Sequence, residues 1–162
     1  MGKLQIFTTG GTIDKVYFDA LSEFQIDAPV IDSILRCMNV GFEYTIDELM
    51  RLDSLDMTDD HRRQIQQAVA AARSQKVLIT HGTDGMVRTA SWLREVPNKT
   101  IVLTGALQPA AFTNTDAVFN IGSAIGAIQM LTEGVYIAMN GQIFSADNVL
   151  KNRTERRFEP VV

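Results

Sequence analysis

The side chains that could do chemistry gather in a few short segments. Thr8, Thr9 and Thr12 lie in TTGGTID, Ser54 in LDSLDM, Thr83 and Asp84 in HGTDG, and Lys151 in DNVLKNRTE. The Gly105-Ala106 peptide belongs to GALQP. Hydroxyls, one carboxylate, one amine and turn amides suit acyl transfer at an amide. A hydroxyl attacks, a base takes its proton, and backbone N–H groups stabilise the oxyanion. A threonine hydroxyl is a poor nucleophile unaided. Its candidate helpers are a lysine kept neutral by desolvation and a nearby tyrosine. Other chemistries fit less well. His61 and His81 are too few and too far apart for a zinc motif, and HExxH is absent. TTGGTID has neither the GxGxxG nor the GxxxxGK[ST] spacing, and there is no GxSxG elbow. No metal and no cofactor is expected.

Each segment alone has an ordinary reading. Thr-Gly-Gly-Thr could be a strand-to-helix turn, Thr83-Asp84 a helix cap, and His81 a structural hydrogen-bonder. Lys151 could be a solvated tail lysine, Tyr17 an exposed loop aromatic, and Arg153, Glu155, Arg156 and Arg157 a solvated face. Position favours chemistry, because the hydroxyls follow several expected strands at one common edge.

Those strands can be read in order. KLQIF makes a short strand over Leu4 to Phe7, and Lys15 to Gln25 reads as a loop. Pro29 opens a helix through Ile34, Leu35 and Met38. Phe42, Tyr44 and Ile46 alternate as a strand, and Leu49 to Met57 reads as a loop carrying Ser54. Thr58 caps an amphipathic helix with acids in its first turn and Arg73 in its last. Val77 to Ile79 is a buried strand leading through Thr80, His81 and Gly82 into a helix from Asp84 to Glu95. Thr100 to Thr104 is a strand. A long apolar helix ends near Leu131, with Gly122 and Gly126 placed for close packing on the sheet. Gly134 to Met139 is a strand, and Asn140-Gly141 predicts an antiparallel return over Gln142 to Phe144. Strands alternate with helices throughout. The expected fold is α/β, a doubly wound, mostly parallel sheet with helices on both faces, in a single domain over 1–162. Such sheets bind ligands at the C-terminal ends of their strands.

Composition bounds the partners. With 162 residues, 46% hydrophobic and 21% charged, the chain can bury a core and is globular. A net charge of −4 gives no reason to expect nucleic acid or an anionic membrane. No apolar run approaches the roughly 20 residues of a membrane span. The one cysteine, Cys37, excludes an internal disulfide and reads as a packed core residue. The cytoplasm is the expected compartment.

TTGGTID followed by ITHGTDGM resembles the two signature motifs of the bacterial-type L-asparaginase family. The likeness continues through LDSLDM, VLTGALQP, NTDAVFNIGSAIGA and DNVLKNRTE, nearly the whole chain. The resemblance implies roles. Thr9 matches the first nucleophilic threonine. Thr83 and Asp84 match the second threonine and its acid, and Lys151 completes that set. Ser54 matches the serine that binds the substrate's α-carboxylate, and Asp84 would also hold its α-ammonium. Tyr17 matches the lid tyrosine that assists Thr9. The amides of Thr83 and Ala106 would be the oxyanion donors. Leu55 stands at a substrate-binding position where many members carry Gln or Glu, HGTDG replaces HGTDT, and GALQP replaces GAMRP. Relatives have a second domain, so the chain resembles a short-form L-asparaginase, the N-terminal domain alone without a C-terminal domain. It would hydrolyse L-asparagine to L-aspartate and ammonia. A homodimer or higher homo-oligomer would cover the open wall of the pocket. The alternatives are a non-catalytic module for binding a small amino acid or for assembly, and an amidase preferring glutamine or another small amide.

Overall fold

The computed structural model describes residues 2–161. Met1 and Val162, the outermost residues of the expected domain, lie outside the described residues. Six strands form the main sheet: β1 (Leu4–Gly10), β4 (Tyr44–Leu52), β5 (Lys76–Thr80), β6 (Thr100–Thr104), β7 (Gly134–Met139) and β8 (Gln142–Ser145). Two hairpins stand apart from it, β2 (Lys15–Phe18) with β3 (Glu23–Ile26), and β9 (Leu150–Asn152) with β10 (Arg157–Glu159). The helices are α1 (Ile31–Cys37), α2 (Asp59–Ala71), α3 (Met86–Leu93) and α4 (Ala117–Met130).

The strand order is β4–β1–β5–β6–β7–β8, parallel throughout except for the β7–β8 pair. The chain crosses β1 when it passes from β4 to β5. The strand order therefore reverses at the β1–β5 boundary, the kind of crevice where doubly wound sheets bind ligands.

The central strands β1, β5, β6 and β7 are buried on both faces, which explains their continuous apolar runs. In β5, Val77 and Ile79 point into one layer with Ile65 and Val69 of α2 and Met86, Ala90 and Leu93 of α3. Leu78 points the other way, toward Ile31 and Leu35 of α1 and Ile121, Ala124 and Ile128 of α4. Strands β6 and β7 divide their side chains in the same way. Thr58 caps α2 as expected. Its hydroxyl accepts from the His61 amide, and its own amide donates to His61 Nδ1.

Several boundaries differ from the sequence reading. Lys15 to Gln25 is not a loop but most of the β2–β3 hairpin. The hairpin is largely exposed, so no core-facing period marks it. Ser22, at φ 51°, closes its turn in place of an Asn-Gly pair. Leu49 to Leu52 extends β4 instead of forming a loop, because a register shift between Thr8 and Gly10 lets β1 keep pairing as far as Leu52. Helix α2 stops at Ala71, before Arg73, and α3 is shorter than Asp84 to Glu95. Cys37 is exposed, since α1 turns Ile31 and Leu35 inward. Gly122 and Gly126 do not pack on the sheet. Both are exposed, and the contact face of α4 is built from Ala117, Ile121, Ala124 and Ile128. The Asn140-Gly141 return is present, with positive φ at both residues.

Candidate active site

Contacts between turns set the floor of the site. Gly11 has φ +89°, and a Cβ there would lie 2.6 Å from Gly82 Cα. A Cβ on Gly82 would lie 2.6 Å from Ser54 Cβ and Oγ. The ends of β1, β4 and β5 therefore touch through atoms that leave no room for a side chain. The loop after β6 joins them. His81 N–H donates to Thr104 O at 2.9 Å, and a Cβ on Gly105 would collide with the His81 carbonyl oxygen. That loop is itself held by α4. Asp116 accepts from the Leu107 and Gln108 amides, and Asn120 Nδ2 donates to Gly105 O at 2.9 Å.

The two threonines sit on neighbouring strand ends. Thr9 is fully buried and donates from Oγ1 to Thr80 O at 2.9 Å. Thr83 follows β5 and is 6% exposed. Lys151 reaches it from outside the sheet: Nζ donates to Thr83 Oγ1 at 2.8 Å and to Asp84 Oδ1 at 2.8 Å. Opposite Lys151 in the β9–β10 hairpin stands Phe158, fully buried in the core layer of α2 and α3. The Phe158 amide donates to Asn140 Oδ1 at 2.8 Å, so this short hairpin is pinned at the position that aims the amine.

The other expected residues fall around this group. Ser54 is 4% exposed, and its Oγ accepts from the Gly85 amide at 2.9 Å. Leu55 is 67% exposed beside it. Ala106 is buried with its methyl in the α1–α4 layer. Among the described residues, neither the Thr83 nor the Ala106 amide donates to a protein acceptor. Tyr17 lies on β2 opposite Phe24, stacked edge-on at 5.3 Å, and Phe24 meets Phe112 at 5.5 Å. Tyr17 is half exposed and shares no hydrogen bond with Thr9. The structure thus joins Thr83, Asp84 and Lys151 directly, sets Ser54 against Gly82 and Gly85 of the same turn, and ends the neighbouring strand β1 with Thr9, while Tyr17 stands on a separate hairpin. A cleft of about 560 Å³ flanked by Phe119, Asn140 and Arg156 lies elsewhere and includes neither threonine, Ser54 nor Lys151.

Electrostatics near the site are uneven. His81 is fully buried. Its Nδ1 faces Gly82 O at 2.7 Å and must donate, which leaves Nε2 to accept from the Thr89 hydroxyl at 2.8 Å. Desolvation lowers its pKa to about 4, so it is a neutral strut. Asp14 is 2% exposed, with one oxygen accepting from Val30 N–H and the other unpartnered. Burial raises its pKa to about 6. The Leu55 amide holds Asp53 below the usual carboxylate range, with a Lys15 ion pair at 3.2 Å adding to it.

Sequence reasoning passed over several of these groups. Arg153 is exposed, as expected of a solvated face, and its Nε also lies 3.4 Å from Asp84 Oδ1. Nothing local marked the Lys15–Asp53 pair, which joins residues 38 apart. No cluster of three or more metal-binding side chains occurs among the described residues, and no helix among them is long and apolar enough to cross a membrane.

Comparison with known proteins matches residues 3–159 to the family described as the asparaginase N-terminal domain. The glutaminase-asparaginase of Acinetobacter glutaminasificans is 29% identical over 160 residues, which is 90% of this chain and 48% of that protein. Among solved structures, the thermostable L-asparaginase from Thermococcus kodakarensis superposes with a TM-score of 0.85 at 26% identity. That match covers 98% of this chain and 51% of the other. A probable cytoplasmic L-asparaginase from Campylobacter jejuni gives a TM-score of 0.78 at 25% identity, covering 99% and 52%. The chain spans about half the length of the curated relatives it matches.

Proposed function

Because the chain belongs to the asparaginase family through its N-terminal domain, we propose that it hydrolyses the side-chain amide of L-asparagine to L-aspartate and ammonia. The observation that carries this reading is Lys151 Nζ at 2.8 Å from both Thr83 Oγ1 and Asp84 Oδ1, with Thr9 buried at the end of the neighbouring strand β1.

Thr9 Oγ attacks the carboxamide carbon, and its proton passes to the leaving nitrogen. The tetrahedral oxyanion takes hydrogen bonds from the Thr83 and Ala106 amides, which have no protein acceptor of their own. Collapse breaks the C–N bond, frees ammonia and leaves an ester on Thr9. Water then hydrolyses the ester, with Thr83 and Lys151 moving the proton and Asp84 orienting the amine. Ser54 Oγ holds the substrate carboxylate, Asp84 the α-ammonium, and Leu55 borders the substrate. Tyr17 assists Thr9 when the β2–β3 hairpin closes.

The test is ammonia release from L-asparagine by the wild type, Thr9→Ala and Thr83→Val. Each variant should lose turnover by orders of magnitude while its circular dichroism stays native. Unchanged release by both would remove the assignment. L-Glutamine belongs in the same assay. Three relatives carry the name glutaminase-asparaginase, and one methylene changes pocket energetics by only about 1–3 kcal/mol. A free exposed thiol at Cys37 suits a reducing compartment, and the cytoplasm is the proposed place of action. Exposed Phe119 on α4 and Ile143 on the edge strand β8 support a homo-oligomer, which light scattering tests.

A further inference from the structure

Arg62 is a buried cation that the reaction above does not use. It is 3% exposed and lies in the first turn of α2, where the helix dipole disfavours positive charge. Nη1 donates to Met57 O at 3.0 Å and lies 3.4 Å from Asp59 Oδ1. Asp59 is shared, because Arg88 Nη2 holds its two oxygens at 2.8 and 3.0 Å. Two guanidiniums therefore face one carboxylate, and Arg62 Nε has no partner at all. Burial lowers the Arg62 pKa, yet a guanidinium stays protonated at any working pH.

This buried cation, which shares its carboxylate partner with Arg88, lies next to Ser54. The point where a Cβ on Gly85 would stand is 3.3 Å from Arg62 Nη2 and 2.9 Å from Ser54 Cβ. The Gly85 amide also donates to Ser54 Oγ. A single glycine thus separates the guanidinium from the serine expected to meet the substrate carboxylate. A buried positive charge acts through low dielectric and is screened little by salt.

We infer that Arg62 is a positioning residue for the anionic end of the substrate, acting through Gly85 and Ser54, so that the site selects small amides carrying a free carboxylate. This rests on the amidase reading above. The experiment measures KM and kcat for L-asparagine with the full chain, in the wild type and in Arg62→Met, Arg62→Lys and Asp59→Asn. Arg62→Met should raise KM at least 5-fold with kcat within about 2-fold, and Arg62→Lys should restore most of the loss. Asp59→Asn, a surface change that removes the shared acid, should lower KM about 2-fold. A purely structural role would reduce melting temperature and kcat instead, and would not be rescued by lysine. An unchanged KM in folded Arg62→Met, or a KM that rises in Asp59→Asn, overturns the proposal. If Arg62→Met does not fold, the sign of the Asp59→Asn effect decides. If the wild type releases no ammonia, the amidase reading fails by itself. Calorimetric affinity for L-aspartate in the same variants then reads the carboxylate subsite, with the same directions expected and an unchanged affinity counting against it.

Discussion

Replacing Asp14 with asparagine should remove a specific pH dependence from the stability of this domain. Asp14 is 2% exposed at the start of the β2–β3 hairpin, with one carboxylate oxygen unpartnered. Desolvation moves its pKa from 3.8 to about 6, against the opposing Val30 N–H hydrogen bond. Glu48 on β4 adds to the rise and Arg51 on β4 opposes it. The folded state therefore holds a proton that the unfolded state has released between those values. By linkage, the resulting stability is fully present below pH 3.8 and is lost as pH rises through about 6. At about 1.4 kcal/mol per pKa unit the total is about 3 kcal/mol, most of it lost between pH 4 and pH 7. His81 works in the opposite direction, because its lowered pKa costs stability as pH falls from 6.5 through about 4. The wild-type curve alone mixes the two effects. The useful quantity is the wild-type minus Asp14→Asn difference in urea-unfolding free energy at each pH. The isostere's own packing cost and the His81 contribution cancel from its slope. The difference should fall by about 2–3 kcal/mol between pH 4 and pH 8. Parallel curves across that range would refute the reasoning and place an ordinary carboxyl at position 14.

Lys151→Met should reduce turnover about 10²- to 10⁴-fold, the usual loss for a proton-transfer group, with little change in melting temperature. Steady-state ammonia release with parallel thermal melts checks this, and a variant with full turnover would detach the β9–β10 hairpin from the reaction. Gly105→Ala places a methyl against the His81 carbonyl oxygen, which is backbone and cannot rotate away. It should cost about 3 kcal/mol, the upper part of the overpacking range, by urea unfolding. A neutral outcome would mean that the β5 and β6 ends separate without penalty.

The middle of the sheet was legible because its strands are buried on both faces. Val77 to Ile79 and Thr100 to Thr104 are continuous apolar runs between turn residues, and nothing else of that length competes for them. The elements misread were those with little contact to the core, above all the β2–β3 hairpin. Tyr17 and Phe24 stabilise their hairpin by stacking on each other and on Phe112, a contact 88 residues away in the chain. No local period could reveal it. The β9–β10 hairpin has three residues per strand, too few for a pattern, and depends on the single anchor Phe158. Residues of the candidate site were legible where hydroxyls follow strands. Thr9 and Thr83 each sit beside a glycine-containing turn that declares itself, and Ser54 lies in a polar segment after an alternating strand. Lys151 was legible as an amine after the last expected strand, while its pairing with Thr83 and Asp84 came only from the family likeness. Arg62 was hidden within an amphipathic helix, where an arginine is ordinarily solvated.

The contacts at Gly11, Gly82 and Ser54 interlock three stretches of chain that lie far apart in sequence. None of the three can shift without pushing on the next. Anyone seeking to widen the cleft for a bulkier amide by saturating a single loop should recover mostly inactive clones. Productive variants would carry paired changes in separate loops. In such a library, linkage between positions near 11, 54 and 82 would trace this shared floor.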